Sequence, residues 1–267
     1  MNQDDLSFFY SWFSEYVQSY YSKDPYVQMN IKSREEHTYR VCKNIVMIGR
    51  DMRLDEEQLQ IGETIALFHD IGRFEQFKTY QTFSDRQSQN HATLSVKRLQ
   101  QTDLLKRVSE EEKSIITKAI SYHNLYALPV HETKRCLLYA RLLRDADKLD
   151  IWPEILEYES KRHRHPNPAI EQDFVDTQDY SKNFIERIMH SRCINVVETK
   201  TYTDMKLCML SWIFDINFLP TFHYIYRHRY LDRLVESLPK TGDIKRVEEH
   251  VHAYLQNKLT DTAIGSS

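Results

Sequence analysis

Apolar residues recur at intervals of three and four along most of the chain, the period of one face of an α-helix. The first stripe, Leu6, Phe9, Phe13, Tyr16, Val17 and Tyr20, follows Asp4 and Asp5, either of which suits an N-cap, and predicts a helix over 4–22. Pro25 marks its end or the linker behind it. A second stripe, His37, Val41, Ile45 and Ile48, predicts a helix from about Arg34 to Arg50. A third, Ile61, Ile65 and His69, predicts one from about Asp55 to Asp70, with Gly72 suited to its C-terminal turn. Between Arg73 and Asn90 no period stands out, and the segment reads as a loop, with a lid as one use for it. Helices are then expected from near Asn90, from a Ser109–Glu112 capping box with Ile116, Ile120 and His123 on one face, and from about Glu132 to Asp150, where Ala140, Leu143 and Asp147 align. The run KRHRHPNP reads as an exposed connection, the stretch of about 170–258 as further amphipathic helices, and TDTAIGSS as a frayed tail.

Composition narrows the fold class. Five glycines in 267 residues leave few of the tight turns that hairpins need, so the expected class is all-α with almost no sheet. With 41% hydrophobic and 28% charged residues, a chain of this length can bury roughly three quarters of the surface it exposes when unfolded. Disorder is excluded on that ground. A net charge of -3 gives no electrostatic reason for binding nucleic acid or an acidic membrane. The most apolar stretch, Leu207 to Tyr226, is interrupted by Asp215, Asn217, Pro220 and His223, which favours a buried helix pair over a membrane span. The N-terminus lacks the basic region of a secretory signal, so the chain is expected to begin here and to stay in the cytoplasm. Four widely spaced cysteines without CxxC pairing suit reduced thiols and are given no functional role.

The histidines and aspartates do not fit a plain core. Helical stripes place His37, His69 with Asp70, His91, His123 and Asp147 where the pattern asks for apolar residues. One such histidine is ordinarily a hydrogen-bonded core residue. Six of these residues together are different, because buried imidazoles and carboxylates cost several kcal/mol unless paired or metal-bound. Imidazole nitrogen with carboxylate oxygen suits Fe, Mn, Co, Ni or Zn better than Ca. His37, His69, Asp70 and Asp147 would complete a site for one ion; His91 and His123 give a second ion its own ligands, and two are expected. A His-Asp pair at a helix end can turn both side chains to one centre, the carboxylate bridging two ions.

The order His37, His69-Asp70, His91, His123, Asp147, with the local phrases EEHTYRV, IALFHDIGRF, NHATLSV, AISYHN and LLRDADKLD, resembles the HD-domain superfamily of metal-dependent phosphohydrolases. The resemblance covers roughly residues 34–152. It implies an all-helical core around a buried metal site, with the bridging role on Asp70 and with Asp147 favoured over Asp145 as the last ligand. Asp150 is read as a helix-end group. The glycine-tyrosine-proline signature of the cyclic-di-GMP phosphodiesterase branch is absent after His123, where the chain reads HNLYALP. The expected organisation is a single domain over 1–267, with the N-terminal helix and the C-terminal helices packed on the core.

The expected function is hydrolysis of a nucleotide or related small phosphate ester by a metal-activated hydroxide, with Asp70 at the centre of the chemistry. Arg73, directly after the HD pair, and Lys148, beside Asp147, are the cations expected to reach substrate phosphate. Gln76, Asp85 and Arg86 are candidate contacts from the loop, with Arg86 assigned to substrate. KRHRHP and YRHRYLDR read as an exposed segment and a helix face. Two other functions fit the same pattern: a di-iron oxygenase on the HD fold, and a non-catalytic nucleotide-binding protein.

Overall fold

A computed structural model describes residues 1–171 and 174–260. The expected tail beyond Thr260 lies outside the described residues. Among the described residues the structure is helical, with one isolated bridge, between Val175 and Thr201, in place of a sheet. The chain divides into two compact units, Met1–Asp150 with Pro168–Gln172, and Ile151–Asn167 with Asp173–Ser267.

The first unit holds α1 (Gln3–Gln18), α2 (Pro25–Asp51), α3 (Glu56–Phe68), α4 (Ile71–Tyr80), α5 (His91–Gln100), α6 (Glu110–Tyr122), the first part of α7 (Lys134–Lys161) and the short α8 (Pro168–Glu171). Most starts follow from local capping chemistry. Asp55 and Gln58 close a capping box at α3, Asn90 caps α5, and Ser109 with Glu112 caps α6 as the sequence predicts. At α1 the cap is Asn2, with Asp5 as its reciprocal partner, and the helix stops at Gln18 rather than 22. α2 begins nine residues before the expected Arg34 because Asp24 caps it and Pro25 occupies its first turn, where a missing N–H costs nothing.

The segment expected as a loop from Arg73 begins as α4, whose inner face carries Ile71, Phe74 and Phe77, all fully buried. Its apolar period is broken by Gln76, which is also fully buried but spends its amide on hydrogen bonds. The loop proper is shorter, following Gln81, whose left-handed backbone (φ 55°) ends α4. Gly72, expected in a C-terminal turn, lies in the first turn of α4 without a positive φ. It is glycine for lack of room: a Cβ there would sit 2.6 Å from Ser95 N, 2.6 Å from Leu94 Cβ and 2.7 Å from His91 O. Replacing Gly72 by Ala is expected to push α4 off α5 and cost about 1–3 kcal/mol, read as a lower denaturant midpoint with an unchanged slope.

Packing in this unit fixes the junction between α3 and α4. α2 lies on α3, α4 on α5, and α3 on α6. α1 braces the junction from outside: Phe9 packs edge-on to Phe68, Phe13 meets Phe74, and the Tyr16 hydroxyl donates to Ile71 O at 3.2 Å. Aromatic contacts of this kind are worth about 0.5–1.5 kcal/mol each beyond the area they bury.

The second unit contains the remainder of α7, then α9 (Lys182–Met189), α10 (Tyr202–Ser211), α11 (Leu219–His228), α12 (Tyr230–Glu236) and α13 (Gly242–Thr260). α10 is buried along its whole length and packs on α9 and α12; α13 packs on α9, α11 and α12. Trp152, fully buried, donates to Met209 O at 3.1 Å. Asp204 is buried and accepts from Ser181 N, Ser181 Oγ and Lys200 N, which compensates its desolvation. The apolar stretch 207–226 falls on α10, a 3-10 turn and α11, and no helix among the described residues is long and apolar enough to cross a membrane. All four cysteines are free thiols.

Candidate metal centre

The six His and Asp residues singled out from sequence converge within the first unit. Four of the six residues stand at helix ends. His69 is the C-cap of α3, and Asp70 (φ -112°, ψ 14°) is the non-helical residue before α4. His91 opens α5 and His123 is the C-cap of α6. His37 and Asp147 come from within α2 and α7 and reach the same point from fixed helix faces.

Each imidazole is anchored through Nδ1. His69 donates to Ala66 O and His123 to Ile120 O, each at 2.7 Å; His37 faces Asp150 Oδ2 and His91 faces Asp85 Oδ2, also at 2.7 Å. A carbonyl or carboxylate only accepts, so the proton sits on Nδ1 and Nε2 is left to the centre. The second nitrogens gather around two carboxylates. His37 Nε2 lies 3.2 Å from Asp147 Oδ1 and 3.6 Å from Asp70 Oδ2, while His69 Nε2 lies 3.8 and 3.7 Å from the same atoms. His91 Nε2 lies 3.7 Å from the other Asp70 oxygen, Oδ1, and 2.9 Å from His123 Nε2.

This arrangement fits divalent cations. His69 Nε2 and Asp70 Oδ1 are buried with no hydrogen-bond partner among the described residues, a loss of about 1–3 kcal/mol per group where nothing compensates it. The His91 and His123 Nε2 lone pairs face one another, and lone pairs that close repel unless a cation takes both. Ligand atoms from His37, His69 and Asp70, from His69, His123 and Asp147, and from Asp70, His91 and His123 all come within the spacing of a metal site.

Electrostatics follow from the same contacts. Burial disfavours charge on His37, but hydrogen bonds to Asp147 and Asp150 outweigh it and raise its pKa to about 9. His69 and His123 have no such partner, and burial lowers both, His123 to about 3. Burial also works against Asp70, yet His69, Arg73, His91 and His37 together hold it well below the usual carboxylate range; Asp147, beside His37, His69 and His123, is likewise lowered. Without metal, the raised His37 value favours the fold below its ordinary range and loses that contribution as pH rises through about 9. A metal at this position needs Nε2 free of its proton. Binding at pH 7 is therefore expected to release about one proton per chain from His37, with affinity rising about tenfold per pH unit below 9. Titration calorimetry in buffers of different ionisation enthalpy measures this, and proton-neutral binding would contradict it.

The other sequence candidates are placed as follows. Arg73 Nε lies 3.6 Å from Asp70 Oδ1, and its Nη1 meets Gln76 Oε1 (2.8 Å), Phe83 O (2.6 Å) and Asp85 Oδ1 (3.2 Å). Lys148 is buried, with Nζ 3.3 Å from Arg144 O. Arg86 is exposed on the loop after Asp85. Asp150, read as a helix-end group, instead orients His37 and is itself held by Arg40 through Nε (2.6 Å) and Nη2 (3.0 Å). Its spacing of three from Asp147, which puts both on one face of α7, was the available signal. Gln76 and Asp85, read as loop contacts to substrate, point inward and support His91. No spacing in the sequence announces that pairing, because it depends on how the loop folds back.

Residues 34–152 match the model of the HD domain family. This segment of the chain is an HD domain, and the buried His/Asp cluster lies within it. No curated protein and no solved structure gave a match to the chain.

Proposed function

We propose that the chain is a metal-dependent phosphohydrolase or phosphodiesterase acting on a nucleotide or related small phosphate ester, with two divalent ions held by the His/Asp cluster. The observation that carries this reading is the divided carboxylate of Asp70, whose Oδ2 faces His37 and His69 while Oδ1 faces His91. His37, His69, Asp70 and Asp147 would hold one ion, and Asp70, His91 and His123 the other. Bound ions would stabilise developing charge on phosphoryl oxygens and lower the pKa of the attacking water toward neutrality.

The chain's own residues supply preorganisation. Four anchored Nδ1 atoms keep four Nε2 atoms turned inward, so little reorientation is needed on binding. Asp70 and Asp147 stay ionised at neutral pH and offer charge without a proton to displace. Arg73 and Lys148, adjacent in sequence to the HD pair and to Asp147, are assigned to the phosphoryl oxygens, and exposed Arg86 to the rest of the substrate. Because Arg73 Nη1 also ties Gln76, Phe83 O and Asp85 together, its substitution is expected to disturb the loop as well as substrate binding.

Hydrolysis in isotopically labelled water tests the reaction type. Label in the phosphoryl product supports attack by water at phosphorus, whereas product oxygen drawn from O2 would replace this reading with an oxygenase.

A further inference from the structure

In both halves of the cluster every ligand is carried by a helix or its cap, and the halves differ in what clamps their histidines. The clamp on His37 is Asp150 of α7, fixed in turn by two nitrogens of Arg40 on α2. The half around His37 and His69 has two carboxylates, Asp70 and Asp147, facing two imidazoles. The other half has His91 and His123 with the shared Asp70, while Asp147 comes within ligand spacing of His69 and His123 together. Its clamp on His91 is Asp85, which belongs to the non-helical segment between α4 and α5 and is about a third exposed, at 30%.

Asp85 is held by the buried amide of Gln76, by Arg73 Nη1 (3.2 Å to Oδ1) and by Asn124 Nδ2 (3.4 Å to Oδ2). Gln76 Nε2 lies 2.9 Å from Asp85 Oδ1, 2.8 Å from Ser88 Oγ and 2.8 Å from Gln89 O, so a single side chain gathers three points of the loop. Its Oε1 accepts from Arg73 Nη1, which also bonds Phe83 O at the loop's start. His91 N–H reaches Asp85 Oδ1 as well, at 3.3 Å. The orientation of His91 therefore depends on how the loop folds on Gln76 and Arg73, whereas His37, His69 and His123 are held without it.

Building on the two-ion reading above, we propose that the centre loads in order: the His37, His69, Asp70, Asp147 position fills first and tightly, the Asp70, His91, His123 position second and more weakly. Gln76 and Asp85 are positioning residues that set the affinity of the second position. A fourth ligand, two carboxylates that both face His37 and His69 directly, and a helix-borne clamp on His37 favour the first position. Removing an outer hydrogen-bond partner of a ligating histidine costs about 10–100-fold in metal affinity, and here that loss falls on one position alone.

The test is titration of the metal-free full chain with Mn2+, following heat and bound ions per chain, with paramagnetic resonance to detect the coupled pair. The wild type is expected to bind two ions with separate affinities. Asp85→Asn, nearly isosteric on a loop, and Gln76→Ala are each expected to weaken only the second event by about 10–100-fold and to abolish the coupled signal at sub-saturating metal. Asp150→Asn is the opposite control and should weaken the first event. Equal weakening of both events in Asp85→Asn and Gln76→Ala, or no change in either, would overturn the proposal while leaving two-ion binding intact. A wild type that binds one ion only would instead overturn the two-ion reading on which it rests.

Discussion

Asp70→Ala is expected to abolish the proposed hydrolytic activity and to leave neither ion bound at stoichiometric metal. The expected loss is about a thousandfold or more in turnover, equivalent to about 4 kcal/mol of barrier. The reason is geometric. Asp70 is the residue whose two oxygens face both halves of the cluster, and it sits at the one non-helical position between α3 and α4, so no neighbour can take its place. Alanine removes the carboxylate shared by both halves and leaves Asp147 alone among four inward-facing imidazoles, too little charge to balance two cations. Metal content and turnover measured on the same preparation check this. Full metal content with lost activity would assign Asp70 to chemistry alone, and retained activity would remove it from the site.

Chelation is expected to produce the largest change in stability. Ions bound by the folded chain stabilise it by mass action, about 2.7 kcal/mol at a hundredfold excess over Kd and about 4.1 kcal/mol at a thousandfold excess. Removing them returns the orphaned His69 Nε2 and Asp70 Oδ1 and the opposed His91 and His123 nitrogens to the buried interior. Thermal unfolding with and without chelator measures the effect, and the midpoint of the metal-loaded protein should rise with free metal concentration. A midpoint indifferent to metal would mean that ions do not bind this cluster in the native state.

Much of this His/Asp cluster is legible in the sequence because most of its residues interrupt an otherwise apolar stripe. His37, His69, His123 and Asp147 occupy positions where helical period asks for Leu or Ile, and a polar group there must be compensated. The helix end at this pair is legible to within two residues, since the expected helix runs to Asp70 and the observed one stops at Phe68. The supports were harder to see. Asp150 reaches His37 across 113 positions of sequence, and Asp85 reaches His91 through a loop whose path is set by Gln76. Gln76 misled in two ways, hiding α4 by breaking its apolar face and hiding the clamp by resembling a solvated loop residue. The early start of α2 is harder to see because a proline marks a stop as readily as a start, and only the N-capping Asp24 before Pro25 makes it a start.

The central claim is that this HD domain performs metal-dependent hydrolysis of a phosphate ester. Its most direct test is turnover of a broad panel of nucleotides, phosphomonoesters and phosphodiesters by metal-reconstituted protein under strictly anaerobic conditions, with all products identified by mass and Asp70→Ala run in parallel. The expected result is hydrolysis without oxygen in the wild type and none in the variant. Anaerobic silence across the panel, followed by substrate-dependent O2 consumption once iron is supplied, would contradict the claim and assign the same ligands to oxygenase chemistry.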